Sequence, residues 1–120
     1  MVPVGEGPRR HPRLAALNLP PLGMQTRGNP LVTKTLLFIA QGGGPLGAPP
    51  PGAASAQPPP ETRKLRAFDK QTGRELWAVE PPIPGVMASP MTYVHQGRQY
   101  VVVAAGGGTN AGLVAWALDR

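Results

Sequence analysis

The segment from Leu65 to Trp77, with the sequence LRAFDKQTGRELW, constrains the fold more than any other part of the chain. Its first half alternates between two faces of an extended strand. Polar residues then close on a glycine at Lys70–Gly73, which predicts a tight turn because glycine tolerates positive φ. The β-prone run Glu75–Val79 follows. We therefore predict a β-hairpin with Trp77 as a core aromatic side chain.

A second hairpin is predicted upstream, after a turn signal at Gly28-Asn29-Pro30. The stretch LVTKTLLFIA has a polar centre between two apolar ends, which indicates strands at about Pro30–Val32 and Leu36–Ala40. The chain would reverse around Thr33 to Thr35. One continuous strand is the alternative interpretation, and a helix is disfavoured by the β-branched content.

Three strands are predicted in the last third of the chain. The first is Val86–Val94, which contains Pro90 and therefore belongs at an edge, a strand start or a bulge. A turn at residues 95–98 leads into Gln99–Ala105, whose continuous apolar character is typical of a strand buried on both faces. A glycine-rich loop then precedes a last strand at Leu113–Leu118.

The remaining segments are rich in glycine and proline, of which the chain has 16 and 17. Residues 1–22 are predicted to be an irregular Pro/Arg-rich tail with at most one helical turn. Residues 41–60 lack charge and predict a long loop inserted between two strands of one sheet. No cysteine is present, which excludes disulfides and thiol catalysis, and we find neither a transmembrane run nor the apolar core of a signal peptide.

The net charge of +6 includes a basic cluster at Arg9, Arg10, His11 and Arg13. Such a tail could contact nucleic acid or an anionic membrane surface. However, the sequence lacks an aromatic and basic stacking platform, so we predict no nucleic-acid partner and interpret the cluster as a solvated tail.

The strand pattern repeats, because strand-turn-strand units occur at about residues 30–80 and 86–118, and the second unit lacks a fourth strand. With the insertion removed, the period of roughly 40–50 residues fits the blade of a β-propeller. The predicted fold class is therefore all-β, with antiparallel four-stranded blades. Residues 23–120 would form about two blades, which cannot close a ring.

Specific residues of the first hairpin resemble the tryptophan-docking motif of the quinoprotein dehydrogenases, the β-propeller enzymes that use pyrroloquinoline quinone (PQQ). The stretches GNPLVTKTLLFIAQG and PMTYVHQGRQYVVVAAGGG resemble the last blades of membrane and periplasmic glucose dehydrogenases of this family. The resemblance extends from about Leu22 to Leu118. The motif residues are Ala67, Asp69, Thr72, Gly73 and Trp77.

The resemblance implies an enzyme family that oxidises a sugar or an alcohol through PQQ with a bound calcium ion, in the periplasm or on its membrane face. The chain would be a C-terminal fragment supplying ring-closing blades, with the remaining blades as partners and a quinone or cytochrome as electron acceptor. In the family, the catalytic aspartate and the calcium ligands lie in earlier blades, so we predict no catalytic residue and no metal site here, and no activity of the isolated chain.

One loop is a candidate cofactor contact by the same resemblance. In alcohol-oxidising relatives a Gly-Gly-Trp segment approaches PQQ, and Gly107, Gly108 and Thr109 hold that place here. The alternative is that the glycines only let the loop turn. His95 is interpreted as a surface residue of a turn. A non-enzymatic propeller scaffold with the same repeat is the alternative function, and the blades encoded upstream would distinguish the two.

Overall fold

The computed structural model describes residues 2–5, 7–23, 29–41, 63–83 and 87–119, which form two antiparallel sheets. The first sheet has four strands in the order β1-β2-β3-β4, and the second has three in the order β5-β6-β7. The all-β prediction is confirmed. The strands are β1 (Pro30–Val32), β2 (Leu36–Ala40), β3 (Leu65–Asp69), β4 (Glu75–Val79), β5 (Met91–His95), β6 (Arg98–Ala105) and β7 (Gly112–Ala117).

The first sheet forms where the sequence predicts it. Strands β1 and β2 reverse at Thr33, whose backbone N–H and hydroxyl both donate to the Leu36 carbonyl, at 2.9 and 3.1 Å. The register of β2 against β3 pairs Phe38 with Ala67, and β3 pairs Ala67 with Trp77. A β-bulge at Ala67/Phe68 then bends the β3–β4 ladder. The predicted insertion at residues 41–60 lies outside the described residues except for Gln41.

The second sheet differs from prediction at its first strand. Strand β5 begins at Met91, after Pro90, because proline cannot donate a ladder hydrogen bond. The expected start of this strand, Val86, lies outside the described residues, and the expectation was wrong for residues 87–90, where Met87 makes only an isolated bridge to Ala105. The β5–β6 turn consists of Gln96 and Gly97 alone, with φ values of 50° and 74° that suit a type I′ hairpin.

The core lies between the facing sides of the two sheets, which we call the inner faces. Phe38 and Leu65 of the first sheet and Val101 and Val103 of the second are almost completely buried there. Alternation along each strand produces this pattern, since every second residue points to the same face. The opposite sides are the outer faces.

The two outer faces differ in how they are covered. On the first sheet, the N-terminal residues Val2 and Val4 border a cavity of about 170 Å³ with Leu37, Ile39 and Phe68. On the second sheet, large apolar side chains are exposed, among them Met91, Tyr93 and Leu113. The N-terminal segment also contains two single turns of 3-10 helix, Gly7–Arg10 and Ala15–Leu17. Within the described residues, no helix is long and apolar enough to cross a membrane.

Each sheet has two ends that carry different connections. Short turns at residues 33–35, 70–74 and 96–97 lie at one end, which we call the turn end. Asn29, Gln41 and residues 106–111 lie at the other, the loop end. The Asn29 side-chain amide donates to the Ser89 hydroxyl at 2.6 Å, which places the loop ends of the two sheets side by side.

Candidate functional site

Trp77 lies on edge strand β4 and contacts the second sheet. Its indole packs edge-to-face on Trp116 of β7, with ring centroids 6.0 Å apart and an interplanar angle of 78°. The side chain is 36% exposed, so the expectation of a core aromatic residue was wrong. An edge strand leaves one side of the indole open to solvent, while the other side joins the two sheets.

The turn before Trp77 is held by one carboxylate. Asp69 Oδ1 accepts hydrogen bonds from the Gln71 and Thr72 backbone N–H groups and from the Thr72 hydroxyl, at 2.9, 2.7 and 2.9 Å. The bonds from Thr72 hold the pKa of Asp69 below its ordinary value. Gly73 has φ of 72°, and a Cβ there would collide with the Val2 side chain. These residues hold a turn at the turn end, away from the longer connections.

The candidate cofactor loop lies at the loop end, between β6 and β7. Gly106 has φ of 96°, and a Cβ at this position would strike the Asn110 carbonyl oxygen. Residues Gly108–Asn110 form a turn of 3-10 helix, with the Asn110 N–H donating to the Gly107 carbonyl at 3.2 Å. A Cβ at Gly107 would meet nothing within 4 Å. There is thus room for a side chain at Gly107 but not at Gly106.

An open groove of about 440 Å³ borders this loop. Its walls carry only small or aliphatic side chains. Ala104 and Leu113, which are paired across β6 and β7, belong to the outer face of the second sheet. Small side chains let a flat ligand approach the backbone closely. The lining residues are Ala88, Ala104, Ala105, Gly106, Ala111, Gly112 and Leu113.

Asn29 and Ser89, which were not predicted as site residues, form a polar pair at the loop end but do not line the groove. Ser89 follows Ala88, whose backbone N–H donates to the Ala104 carbonyl at 2.8 Å. Both Asn29 and Ser89 precede a proline, and this shared position was the one sequence signal that could have found them. The loop end thus combines an apolar groove with a neutral polar pair.

The ionisable side chains of the described residues do not line the groove. Glu75 pairs with the buried Arg66 at 2.7 Å, and Glu80 pairs with Arg63 at 3.4 Å. His95 is exposed beside the β5–β6 turn, as predicted for a surface residue. Among the described residues, no group of three or more His, Asp or Glu side chains could hold a metal ion. The groove therefore offers an apolar surface, and its described lining carries neither a charged nor a polar side chain.

Comparison with known proteins identifies the family. Residues 1–101 match the family described as PQQ: Glucose/ethanol/alcohol dehydrogenase, beta-propeller domain. The chain belongs to this family. The match covers the first 22 residues, which the resemblance found in the sequence had left out, and the family's β-propeller fold agrees with the two antiparallel sheets.

Curated relatives within this PQQ family carry several substrate names. The chain is 38% identical over 110 residues to a probable quinate dehydrogenase (quinone) of Xanthomonas campestris pv. juglandis, covering 88% of this chain and 12% of the relative. It is 47% identical over 104 residues to the quinoprotein glucose dehydrogenase of Escherichia coli strain K12, covering 81% and 11%.

A third relative, the quinohemoprotein alcohol dehydrogenase of Comamonas testosteroni, is 47% identical over 57 residues, covering 48% of this chain and 8% of the relative. The chain thus spans about a tenth of the length of the first two relatives. No solved structure matches the chain significantly.

The groove borders the loop of Gly107, Gly108 and Thr109, but these three predicted cofactor contacts are not among its lining residues. PQQ is a flat, fused-ring quinone, and the alanine and glycine walls of the groove carry no bulky side chain that would keep such a ring from the backbone. The carboxylates of PQQ require cations or hydrogen-bond donors. The described groove lining contains no side-chain donor, so these partners would come from outside it.

Proposed function

We propose that this chain forms two adjacent blades of a PQQ-dependent dehydrogenase propeller and supplies one wall of its cofactor pocket. The match of residues 1–101 to the family carries this proposal. The Trp77–Trp116 contact supports it, since a large indole fills the wedge between two twisted sheets. The remaining blades would be the partners of this chain, because a propeller needs a closed ring.

In this proposal, Gly107, Gly108 and Thr109 form the part of the pocket wall that faces PQQ. The glycines leave the backbone accessible, and Thr109 offers a hydroxyl at the place where the resemblance implies a tryptophan in alcohol-oxidising relatives. Bound PQQ would accept the two electrons that leave the oxidised carbon of an alcohol or a sugar. The residues of this chain would bind and orient the cofactor, whereas the acid–base residues and the ligands of calcium, or of another metal ion, would lie in other blades.

The substrate class we propose is a sugar, a related polyol or an alcohol, in line with the quinate, glucose and alcohol dehydrogenases among the relatives. Electrons would leave to a quinone or a cytochrome. Two relatives name cytochrome c, and two others name a quinone. The place of action would be the periplasm or its membrane face.

The cofactor wall can be tested by titrating the purified 120-residue chain with PQQ and following quenching of Trp77 and Trp116 fluorescence, with equilibrium dialysis as a second measurement. Gly107→Leu should weaken binding on the order of tenfold, because the leucine fills the open space without forcing the backbone. Gly107→Ala is the matched control and should bind like the wild type. Thr109→Trp should strengthen binding about fivefold by stacking.

Activity is measured in the same preparation by PQQ-dependent dye reduction with glucose. We expect PQQ binding without turnover, since the chain would supply only part of the site. Equal binding by the wild type and Gly107→Leu would contradict the proposed wall. Turnover by the isolated chain would contradict the proposal that the acid–base residues and the metal ligands lie in other blades. No PQQ binding at all would favour the non-enzymatic scaffold.

A further inference from the structure

A cavity of about 330 Å³ lies between the N-terminal segment and the outer face of the first sheet. Arg66 and Phe68, which alternate onto the same face of β3, line it together with Lys64, the residue just before the strand. Val2 and Pro3 line it from the N-terminal segment. Small-molecule pockets have volumes of roughly 300–1,000 Å³, so this cavity, which we call the Arg66 cavity, can hold a small ligand.

Arg66 is a buried cation with unused hydrogen-bond donors. Its side chain is only 7% exposed. Nε donates to Gln41 Oε1 at 2.8 Å, and Nη1 donates to Glu75 Oε2 at 2.7 Å. A guanidinium has five N–H groups, and no acceptor of the described residues bonds to Nη2. Because a buried charged donor without an acceptor is costly, an anionic acceptor in the cavity would be stabilised there.

The charged side chains that line the Arg66 cavity do not cancel. Glu75 also lines it and forms an ion pair with Arg66. Lys64 is half-buried, and within the described part of the chain its ammonium group has neither an ion pair nor a hydrogen bond. The lining therefore carries two cations and one carboxylate. The uncompensated positive charge favours a ligand with a single negative charge.

The remaining large side chains of the lining are apolar. Phe68 is 4% exposed, and Val2, Pro3 and Pro21 lie along the same cavity. Binding pockets commonly combine apolar walls with a few polar groups that fix the orientation of the ligand. A ligand with an anionic group and an apolar body would match both parts of this lining.

We propose that the Arg66 cavity binds a small monocarboxylate with an apolar body. Its carboxylate would accept hydrogen bonds from Arg66 Nη2 and Lys64 Nζ, and its apolar part would pack on Phe68 and the N-terminal segment. Arginine and lysine form strong charge-assisted hydrogen bonds with carboxylates. The cavity lies on the first sheet and the groove on the second, so this inference is independent of the proposed PQQ wall.

The test titrates the isotope-labelled 120-residue chain with benzoate at constant ionic strength and follows backbone amide shifts, at a concentration at which sedimentation velocity shows a monomer. Benzoate should shift the amides of Gly5, Lys64 and Arg66 in a saturable manner. Benzamide has the same shape without the charge, and acetate has the charge without the ring. Each should bind about tenfold more weakly than benzoate.

Two variants change the charge of the lining in opposite directions and leave the buried Arg66 in place. Lys64→Gln should weaken benzoate binding about threefold to tenfold, because one charged donor is lost. Glu75→Gln should strengthen it by a similar factor, because it removes a like charge and frees Arg66 Nη1. Lys34→Gln makes the matched change at an exposed residue outside the cavity and should have no effect.

Thermal unfolding with and without benzoate provides a second measurement, since a ligand that binds only the folded chain raises its melting temperature. The increase should be larger for the wild type and Glu75→Gln than for Lys64→Gln. Equal binding of benzoate and benzamide, wild-type binding by Lys64→Gln, or no saturable shift with benzoate would overturn the inference. Shifts centred on Lys34 would also overturn it, because they would indicate contact with exposed lysines in general.

Discussion

At the scale of single residues, backbone conformation distinguishes a glycine that its turn requires from a glycine that could be replaced by a residue with a side chain. Gly73 has φ of 72° and lies against Val2, whereas Gly107 is extended at φ of −169° with nothing near it. A Cβ is disfavoured at left-handed φ but costs nothing in extended backbone. The two glycines look equivalent in the sequence, and only the structure distinguishes them.

Gly73→Ala should therefore destabilise the chain by about 1–2 kcal/mol, from the left-handed backbone and the contact with Val2. Gly107→Ala, the matched control, should change stability by less than about 0.5 kcal/mol. Urea unfolding followed by circular dichroism measures both. Equal stabilities of the two variants would contradict the assigned turn geometry.

Asp69 gives the turn a dependence on pH. Its folded-state pKa is lowered by the bonds from Thr72, so its stabilising effect is present above the unfolded-state pKa, near 4, and is lost as the pH falls through the folded-state pKa. Asp69→Asn should lower the melting temperature at pH 7, and this difference should shrink below about pH 4. The measurement is thermal unfolding from pH 7 to pH 2.5.

The control is Asp119→Asn, which removes only an exposed ion pair with Arg98 at 3.0 Å and should change the melting temperature little. A destabilisation by Asp69→Asn that stays constant from pH 7 to pH 2.5 would show that the carboxylate charge does not hold the turn.

At the scale of elements, the sequence predicts most strands because the alternation of apolar and polar residues ends where turn-forming residues begin. The bounds of β2 and β4 match the prediction, since a polar turn precedes each strand and a Gly/Pro-rich segment follows it. Strand β5 was placed too early, because the apolar run before Pro90 looks like strand but has no ladder partner except at Met87. Asn29–Ser89 escaped prediction because a bond across sixty residues leaves no periodic signal.

Strands β4 and β7 are coupled through their tryptophans, and a double-mutant cycle can measure this coupling. Trp77→Ala and Trp116→Ala should each destabilise the chain, and the pair should show a coupling energy of about 0.5–1.5 kcal/mol, as expected for an edge-to-face aromatic contact. Denaturant unfolding of the four proteins supplies the cycle. Combining Trp77→Ala with Leu113→Ala, on the outer face of the second sheet, should be additive.

At the scale of the whole molecule, large apolar side chains lie exposed on the outer face of the second sheet in the described part of the chain. Leu113 and Met91 are 76% and 58% exposed, and Tyr93 stacks on Tyr100 at 5.1 Å beside them. Such a contiguous apolar face on an open sheet marks an interaction surface. We interpret it as the side that another blade would cover in the proposed propeller.

The isolated chain should consequently self-associate at micromolar concentration. Met91→Lys combined with Leu113→Lys should reduce association, because the lysines place like charges on the exposed face. Leu17→Lys, which replaces an exposed leucine of the N-terminal segment, is the control and should leave association unchanged. Sedimentation velocity distinguishes these outcomes, and a wild-type chain that stays monomeric at all concentrations would contradict the expectation.

In the proposed function, the loop end of the two sheets forms one wall of a PQQ site. Amide chemical shifts of the labelled chain, recorded at a concentration at which sedimentation velocity shows a monomer, map where PQQ binds. We expect saturable shifts confined to Gly106–Gly112 and Ala88, with residues 70–73 and 96–97 at the turn end unmoved. Shifts centred on the turn end, or no saturable shift, would contradict the proposal.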